Sequence, residues 1–130
     1  MSHHIAKQVH EKFKIFSGQL AADGGIGKLA DDVAAFARTS KVAPKSIGVA
    51  CLQPGNHVVV TLGYRDDEES YPVKLHCIRL GKIEFKDGNF SALEKKIGEA
   101  ASRQRNIICH ELYVTGENDF TLVVMTHEAK

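Results

Sequence analysis

The spacing of apolar residues changes near Ser46, and this change limits the folds open to the chain. Before Ser46 apolar residues recur every three or four positions, the period of an amphipathic helix. After it they recur at every second position, as in a strand with one buried face. Helical and strand segments are therefore grouped along the chain, which is typical of the α+β class.

The segment before Pro44 predicts two helices. The apolar stripe of the first consists of Ile5, Val9, Phe13, Phe16 and Leu20. Gly24 and Gly25 interrupt it, because two consecutive glycines favour a break. The second helix carries apolar residues from Ile26 to Ala37 and ends before Pro44, since the residue preceding a proline resists the helical conformation.

Two strands follow, joined by a predicted type II turn with proline and glycine at its centre, residues 53–56. This register sets Ile47, Val49 and Cys51 opposite Leu62, Val60 and Val58, respectively. One face of the hairpin is then large and apolar. The other carries the small residues Gly48, Ala50, Thr61 and Gly63. Small residues permit close approach, so we expect a helix on that second face.

Further elements follow the charged segment 65–70. A third strand spans Tyr71 to Leu80, and Gly81 with Lys82 predicts a type II′ turn into a fourth strand that ends at Asp87. Ser91 and Glu94 form a capping box, which predicts the start of a third helix.

Two strands, Asn106–Thr115 and Phe120–His127, complete the pattern. We therefore expect one α+β domain, residues 1–130, in which an antiparallel sheet of about six strands packs with three helices in the order αα-ββββ-α-ββ.

The last hairpin is apolar on both faces, which predicts that something covers each of them. With Thr115 opposite Phe120, one face carries His110, Leu112 and Val114 beside Val123, Met125 and His127; the other carries Cys109 and Tyr113 beside Leu122 and Val124. A second copy of the chain is the simplest cover, so we predict a homodimer. Helices on both faces, a ligand or a protein partner are the alternatives.

Charge and composition point to few classes of partner. The net charge is +1, from 17 basic and 16 acidic residues, which gives no basic footprint for nucleic acid. No apolar run approaches the roughly 20 residues that cross a bilayer, and the first residues lack the apolar core of a signal peptide. Cys51, Cys77 and Cys109 form no disulfide framework. We therefore expect a cytoplasmic protein with no membrane contact.

Two short segments resemble known ligand loops but lack essential residues. The glycine-rich segment 24–28 has alanine and leucine where a phosphate-binding loop needs glycine and a hydroxyl residue. It is interpreted as a turn between helices. The acidic segment 66–69 could offer oxygens to a hard cation or dock a basic partner, but consecutive carboxylates converge poorly on one ion. It is interpreted as a solvated turn.

Histidine and cysteine neighbours on the strands provide the candidate site. Its residues are His76, Cys109, His110, Tyr113 and His127. In the predicted register His110 and His127 are diagonal neighbours on one face, and convergent histidines can bind zinc. A thiol beside a histidine can act as a nucleophile. No residue pattern identifies a cofactor, a catalytic group or a metal site.

The sequence thus predicts a small protein-interaction or adaptor module that is homodimeric and non-catalytic. The alternative is a small ligand-binding or enzymatic domain that uses a histidine and cysteine pocket on the sheet. Whether the chain is an enzyme stays open at this stage, because no complete catalytic constellation is present.

Overall fold

The computed structural model describes residues 11–52 and 56–128, which form six strands and two helices. In chain order these are β1 (Lys12–Gln19), α1 (Leu29–Ser40), β2 (Ala43–Leu52), β3 (His57–Arg65), β4 (Val73–Lys82), α2 (Ser91–Ser102), β5 (Ile107–Thr115) and β6 (Asp119–His127). The α+β class predicted from the sequence is confirmed.

The strands form two antiparallel sheets of three strands each, so the prediction of one sheet of about six strands is wrong. Sheet A has the order β1-β3-β2, and sheet B has the order β4-β6-β5. Strand β2 lies beside β5, where the backbone N–H of Ile47 donates to the Cys109 sulfur. Cys51 lies four residues after Ile47, and Tyr113 lies four residues after Cys109; both side chains line the same cavity. The two neighbouring strands therefore run in the same direction along this seam.

Helix α1 lies on the inner face of both sheets. Its buried residues Leu29, Val33 and Ala37 are spaced three to four apart, so they form one apolar stripe. This stripe packs with Val58, Val60 and Leu62 of β3 and with Val73, Leu75, Val123 and Met125 of sheet B. The helix ends at Lys41, which adopts the left-handed conformation and donates its N–H to the Ala37 carbonyl.

Helix α2 covers the other, outer face of sheet B. Leu93 and Ala100 are its buried residues, and they form a second core with Leu80, Ile83, Leu122 and Val124. The predicted start of this helix is confirmed, but the capping box is not. The side chain of Asn89, rather than that of Ser91, accepts a helix N-terminal hydrogen bond, from the backbone N–H of Ser91.

The first predicted helix is wrong where the structure describes it, because residues 12–19 form strand β1. Ile5 and Val9 lie outside the described residues. Aromatic and β-branched residues favour strands, and β3 offers a free edge to which β1 pairs from Lys12 to Gln19. Phe16 lies on the inner face against Phe36, whereas Phe13 and Ile15 lie on the outer face.

The register of the β2–β3 hairpin is confirmed, although turn residues 53–55 lie outside the described part. Ile47 pairs with Leu62, and Val49 pairs with Val60. The expected position of the helix is wrong: α1 packs on the large apolar face, and the small-residue face is the outer one. Burial of large side chains outweighs the close approach that small ones permit.

The predicted fourth strand is absent, because β4 does not turn at Gly81. Gly81 has φ +88°, the register shifts between Arg79 and Gly81, and Gly81 and Lys82 still pair with Phe120 and Asp119 of β6. The glycine thus supports a bulge within one strand. Arg79 forms its ion pair with Asp119 of β6.

The predicted register of the last hairpin is one residue off. Thr115 pairs with Asp119 rather than Phe120, because Gly116 and Asn118 adopt positive φ and close a shorter turn. A slip of one residue moves one strand's side chains to the opposite face. Leu112 therefore shares a face with Leu122, and Tyr113 shares the other with Thr121.

Candidate functional site

The outer face of sheet A exposes apolar side chains that no described helix covers. Phe13 and Ile15 are 64% and 66% exposed, and Leu52 is 45% exposed. No helix within residues 11–52 and 56–128 packs on this face. We call it the open face; it consists of Phe13, Ile15, Ser17, Ser46, Gly48, Ala50, Leu52, Val59 and Thr61.

Strand pairing arranges the open face in rows across the sheet. One row joins Ile15, Thr61 and Gly48, and the next joins Ser17, Val59 and Ala50. In the row of Phe13 and Ser46 the Glu11 carboxylate lies over Gly63, 2.8 Å from where a β-carbon at Gly63 would stand. An exposed apolar patch bordered by polar groups is a common mark of an interaction site.

Polar and charged residues border the open face at both ends. At one end Glu11 lies close enough to Arg65 to raise the pKa of that guanidinium, although Asp67 is the main cause. At the other end Gln19 pairs with His57. An apolar centre with a polar rim is the usual layout of a protein–protein interface.

Sheet B differs because its central strand β6 is covered on both faces. Strand β6 is buried continuously from Thr121 to Thr126, with α1 and sheet A on one side and α2 on the other. The chain itself therefore covers most of both faces of the last hairpin, and the exposed part of the outer face lies on β5, where Val114 is 47% exposed. The premise from which the sequence predicted a dimer holds only for this strand.

The predicted site residues are divided between the two faces of sheet B. His76 and His110 share the outer face, where both pair with Val124 from opposite sides. The Nε2 of His76 lies 2.9 Å from Thr126 Oγ1. Burial lowers the pKa of His76, and the neighbouring Lys74 lowers it further.

Cys109, Tyr113 and His127 occupy the inner face. Burial raises the pKa of Cys109 to about 11, which disfavours a thiolate nucleophile. His127 stacks on Tyr71 with ring centroids 4.6 Å apart. His110 and His127 are therefore not diagonal neighbours as predicted, because the one-residue register difference separates their faces.

Tyr113 connects sheet B to the loop that precedes α1. Its hydroxyl donates to the Gly24 carbonyl at 2.8 Å, and Cys77 Sγ lies 3.6 Å from the same oxygen. Burial and then Cys77 raise the pKa of Tyr113. A β-carbon at Gly25 would lie 3.2 Å from the Cys77 sulfur, so the loop fits closely here. This contact holds the loop in place.

The glycine-rich loop has no free helix end for a phosphate. At the start of α1 the N–H groups of Leu29, Ala30 and Asp32 bond to carbonyls of residues 26–28. Asp31 and Asp32 place negative charge in the first turn, which repels an anion. The segment is a turn, as predicted, but it joins strand β1 to helix α1 and not two helices.

A polar cleft of about 260 Å³ lies between this loop and the β5–β6 turn. Arg79 donates from Nε and Nη2 to both oxygens of Asp119 at 3.2 and 2.6 Å. The Arg79 guanidinium lowers the pKa of Asp119. Asp23, Asn56 and Thr115 complete the polar lining.

The acidic segment 66–69 pairs with the chain's own cations. Asp66 lies 2.6 Å from Lys12, and Glu68 lies 2.7 Å from Lys45. Asp67 lies 2.6 Å from Arg65. In the described ranges no three histidine, cysteine, aspartate or glutamate side chains converge as metal ligands would.

Comparisons with protein families, with curated proteins and with solved structures give no match to this chain. Neither described helix is long and apolar enough to span a membrane.

Sequence reasoning missed the open face. Phe13 fits the predicted helix stripe together with Ile5 and Val9, and that stripe leaves Ile15 out. The signal that could have found β1 is the alternation of lysines 12 and 14 with Phe13 and Ile15. The small-residue face of the hairpin was recognised, but its helix was misplaced.

Proposed function

We propose that the chain is a non-catalytic protein-interaction module that forms a homodimer through the open face. The observation that carries the proposal is the exposure of about two-thirds of both Phe13 and Ile15 on a face that no described helix covers. Removing such a surface from water on association is favourable.

The proposed compartment is the cytoplasm. All three cysteines are free, which fits a reducing environment. The alternative function, a ligand-binding or enzymatic pocket of histidines and cysteine, stays a prediction. Its five residues are split between two faces of sheet B, so the geometry favours the interaction module.

The test is sedimentation velocity across the micromolar range with the wild type and Ile15→Lys. We expect a monomer–dimer equilibrium in the wild type and a dissociation constant raised roughly tenfold or more by the charge. Ile15 is exposed, so the thermal midpoint of the monomer is expected to change little.

The matched control is Phe85→Lys. Phe85 is 42% exposed and follows β4, the edge of sheet B away from sheet A. It stacks on Phe90 and takes no part in the open face. We expect its association to equal that of the wild type; a strictly monomeric wild type would refute the proposal.

A further inference from the structure

We infer that the free edge of β4 binds an extended peptide as an additional strand, with an acidic side chain of the peptide in the groove between β4 and α2. This goes beyond the proposed function and does not depend on it, because the open face belongs to sheet A and β4 is an edge strand of sheet B. It follows from backbone groups of β4 that point away from its partner strand and from two cations beside them.

Strand β4 has a hydrogen-bonding partner on one side. It pairs with β6, and no other strand in the described ranges pairs with it. The Pro72 carbonyl accepts the N–H of Glu128 at 2.9 Å, so residue 72 points its backbone groups toward β6. Successive residues of an antiparallel strand point these groups alternately toward and away from the partner. The N–H and C=O of Val73, Leu75 and Cys77 therefore point to the free edge.

The free edge is accessible over residues 73–79. Cys77 is exposed, and the side chain of Arg79 is 56% exposed. Beyond this range the edge is closed, because Lys96 Nζ donates to the Leu80 carbonyl at 3.3 Å and the strand bulges at Gly81. Lysines and bulges commonly protect edge strands from pairing. Here they protect one end and leave the rest open.

A groove of about 160 Å³ lies along this edge. All of its lining residues belong to β4 and α2 or directly follow α2, so it lies at the β4 side of sheet B. Ile78, Leu80 and Ala100 supply apolar surface, and Lys96 and Arg103 supply positive charge. Residues 96, 100 and 103 are spaced four and three apart, so they share one side of the helix. We call this cavity the edge groove.

The edge groove carries one unbalanced positive charge. Within the described ranges neither Lys96 nor Arg103 forms an ion pair. Glu99 also lines the groove, and Arg79 is neutralised by Asp119. A carboxylate placed beside two cations makes charge-assisted hydrogen bonds, whereas an ammonium group is repelled. The groove therefore favours an acidic side chain.

The strand geometry places that side chain. Directly paired residues of neighbouring strands point their side chains to the same face. Ile78 lies on the outer face, where it packs against the core under α2. The peptide residue opposite Ile78 therefore enters the edge groove. Backbone bonds would supply affinity and the groove selectivity, as in other peptide recognition by strand addition.

The experiment is fluorescence anisotropy with a labelled peptide of threonine and valine, about seven residues long, with one central glutamate. We expect saturable binding with a dissociation constant below about 1 mM. The same peptide with a central lysine is expected to bind roughly tenfold more weakly. No saturable binding of the glutamate peptide, or equal binding of the two peptides, would refute the inference. Oligothymidylate that binds as tightly would do the same, because it would show a general preference for polyanions.

N-methylation of the peptide tests the added strand itself. Two versions of the glutamate peptide carry N-methyl groups on alternate residues, one on the odd and one on the even positions. Only one set of amides faces β4, so one version is expected to lose roughly tenfold or more in affinity and the other to bind like the parent. Equal affinities of the two versions would exclude strand addition.

Lys96→Glu tests the edge groove. It is expected to weaken binding of the glutamate peptide roughly tenfold and to strengthen binding of the lysine peptide. Lys95→Glu makes the same charge change on the same helix outside the groove, and is expected to stay within about twofold of the wild type. Both lysines are exposed, and circular dichroism establishes that both variants are folded. Equal effects of the two variants would contradict the groove assignment, and neither result bears on the sedimentation test of the open face.

Discussion

The central strands of the two sheets are built from similar residues but are buried differently. In β6 six consecutive residues from Thr121 to Thr126 are buried. In β3 Val58, Val60 and Leu62 are buried while Val59 and Thr61 are only partly covered. Both strands have α1 on their inner side, and only sheet B has a second helix outside. The apolar character of a strand therefore does not reveal which of its faces the chain itself covers.

The largest expected effect is the difference in stability loss between the outer face of sheet B under α2 and the open face of sheet A. Leu122→Ala, at a residue 1% exposed under α2, is expected to lower the free energy of unfolding by about 3 to 4 kcal/mol, because it removes contacts and leaves a cavity. Ile15→Ala is expected to lower it by less than about 1 kcal/mol. Urea unfolding at concentrations where the chain is monomeric measures both. Similar losses would mean that sheet A is covered as well.

The second effect concerns the helix that distinguishes the sheets. Leu93→Ala removes the most buried large side chain of α2 and is expected to lower the free energy of unfolding by about 2 to 3 kcal/mol. Hydrogen exchange of β6 amides should accelerate because their cover is weakened. Lys95→Ala, on the exposed side of α2, is the control and should stay within about 0.5 kcal/mol of the wild type.

The third effect tests the seam between the sheets by pH. The thiol of Cys109 has its pKa raised to about 11, above the ordinary value of 9.0, so the unfolded chain loses this proton first. Its contribution to stability is complete below pH 9 and is lost as the pH rises through 11. Chemical unfolding should show a fall of about 2 kcal/mol over this window that is absent in Cys109→Ala. Equal falls in both proteins would contradict the assignment.

The smallest effect tests the link from sheet B to the loop before α1. Tyr113→Phe removes the donor to Gly24 and leaves a partly buried carbonyl unpaired, which should lower the free energy of unfolding by about 1 kcal/mol. Tyr64→Phe keeps the ring contact with Phe36 and is expected to have almost no effect. Urea unfolding of both variants measures the difference. An unchanged free energy of unfolding in Tyr113→Phe would show that this hydrogen bond does not stabilise the loop.

The sequence predicted elements whose signal is local. The β2–β3 register followed from the alternation of large residues around one turn, and the α2 start followed from residues 91–94. Segments with two local solutions were predicted wrongly. Phe13 and Phe16 fit both a helix and a strand, and pairing to β3 decided between them. Gly81 fits a turn or a bulge, and pairing of Lys82 to Asp119 decided that case.

The candidate site was less accessible from sequence than the fold. Residue type selected His110 and His127, but their relative position depends on a register that Gly116 and Asn118 shift by one residue. The open face depends on which sheet faces the helices reach. This is a matter of long-range packing, which local periodicity does not encode.

The hydrogen bond from Tyr113 to Gly24 joins residues 89 positions apart in the chain. All strands of sheet A precede residue 66, whereas every strand that covers the far side of α1 begins at Val73 or later. During translation, a nascent chain that has left the ribosome only as far as Arg65 contains sheet A complete but α1 half covered. The loop before α1 gains its anchor only after residue 113 emerges, so the N-terminal half is locked later than sheet A is synthesised.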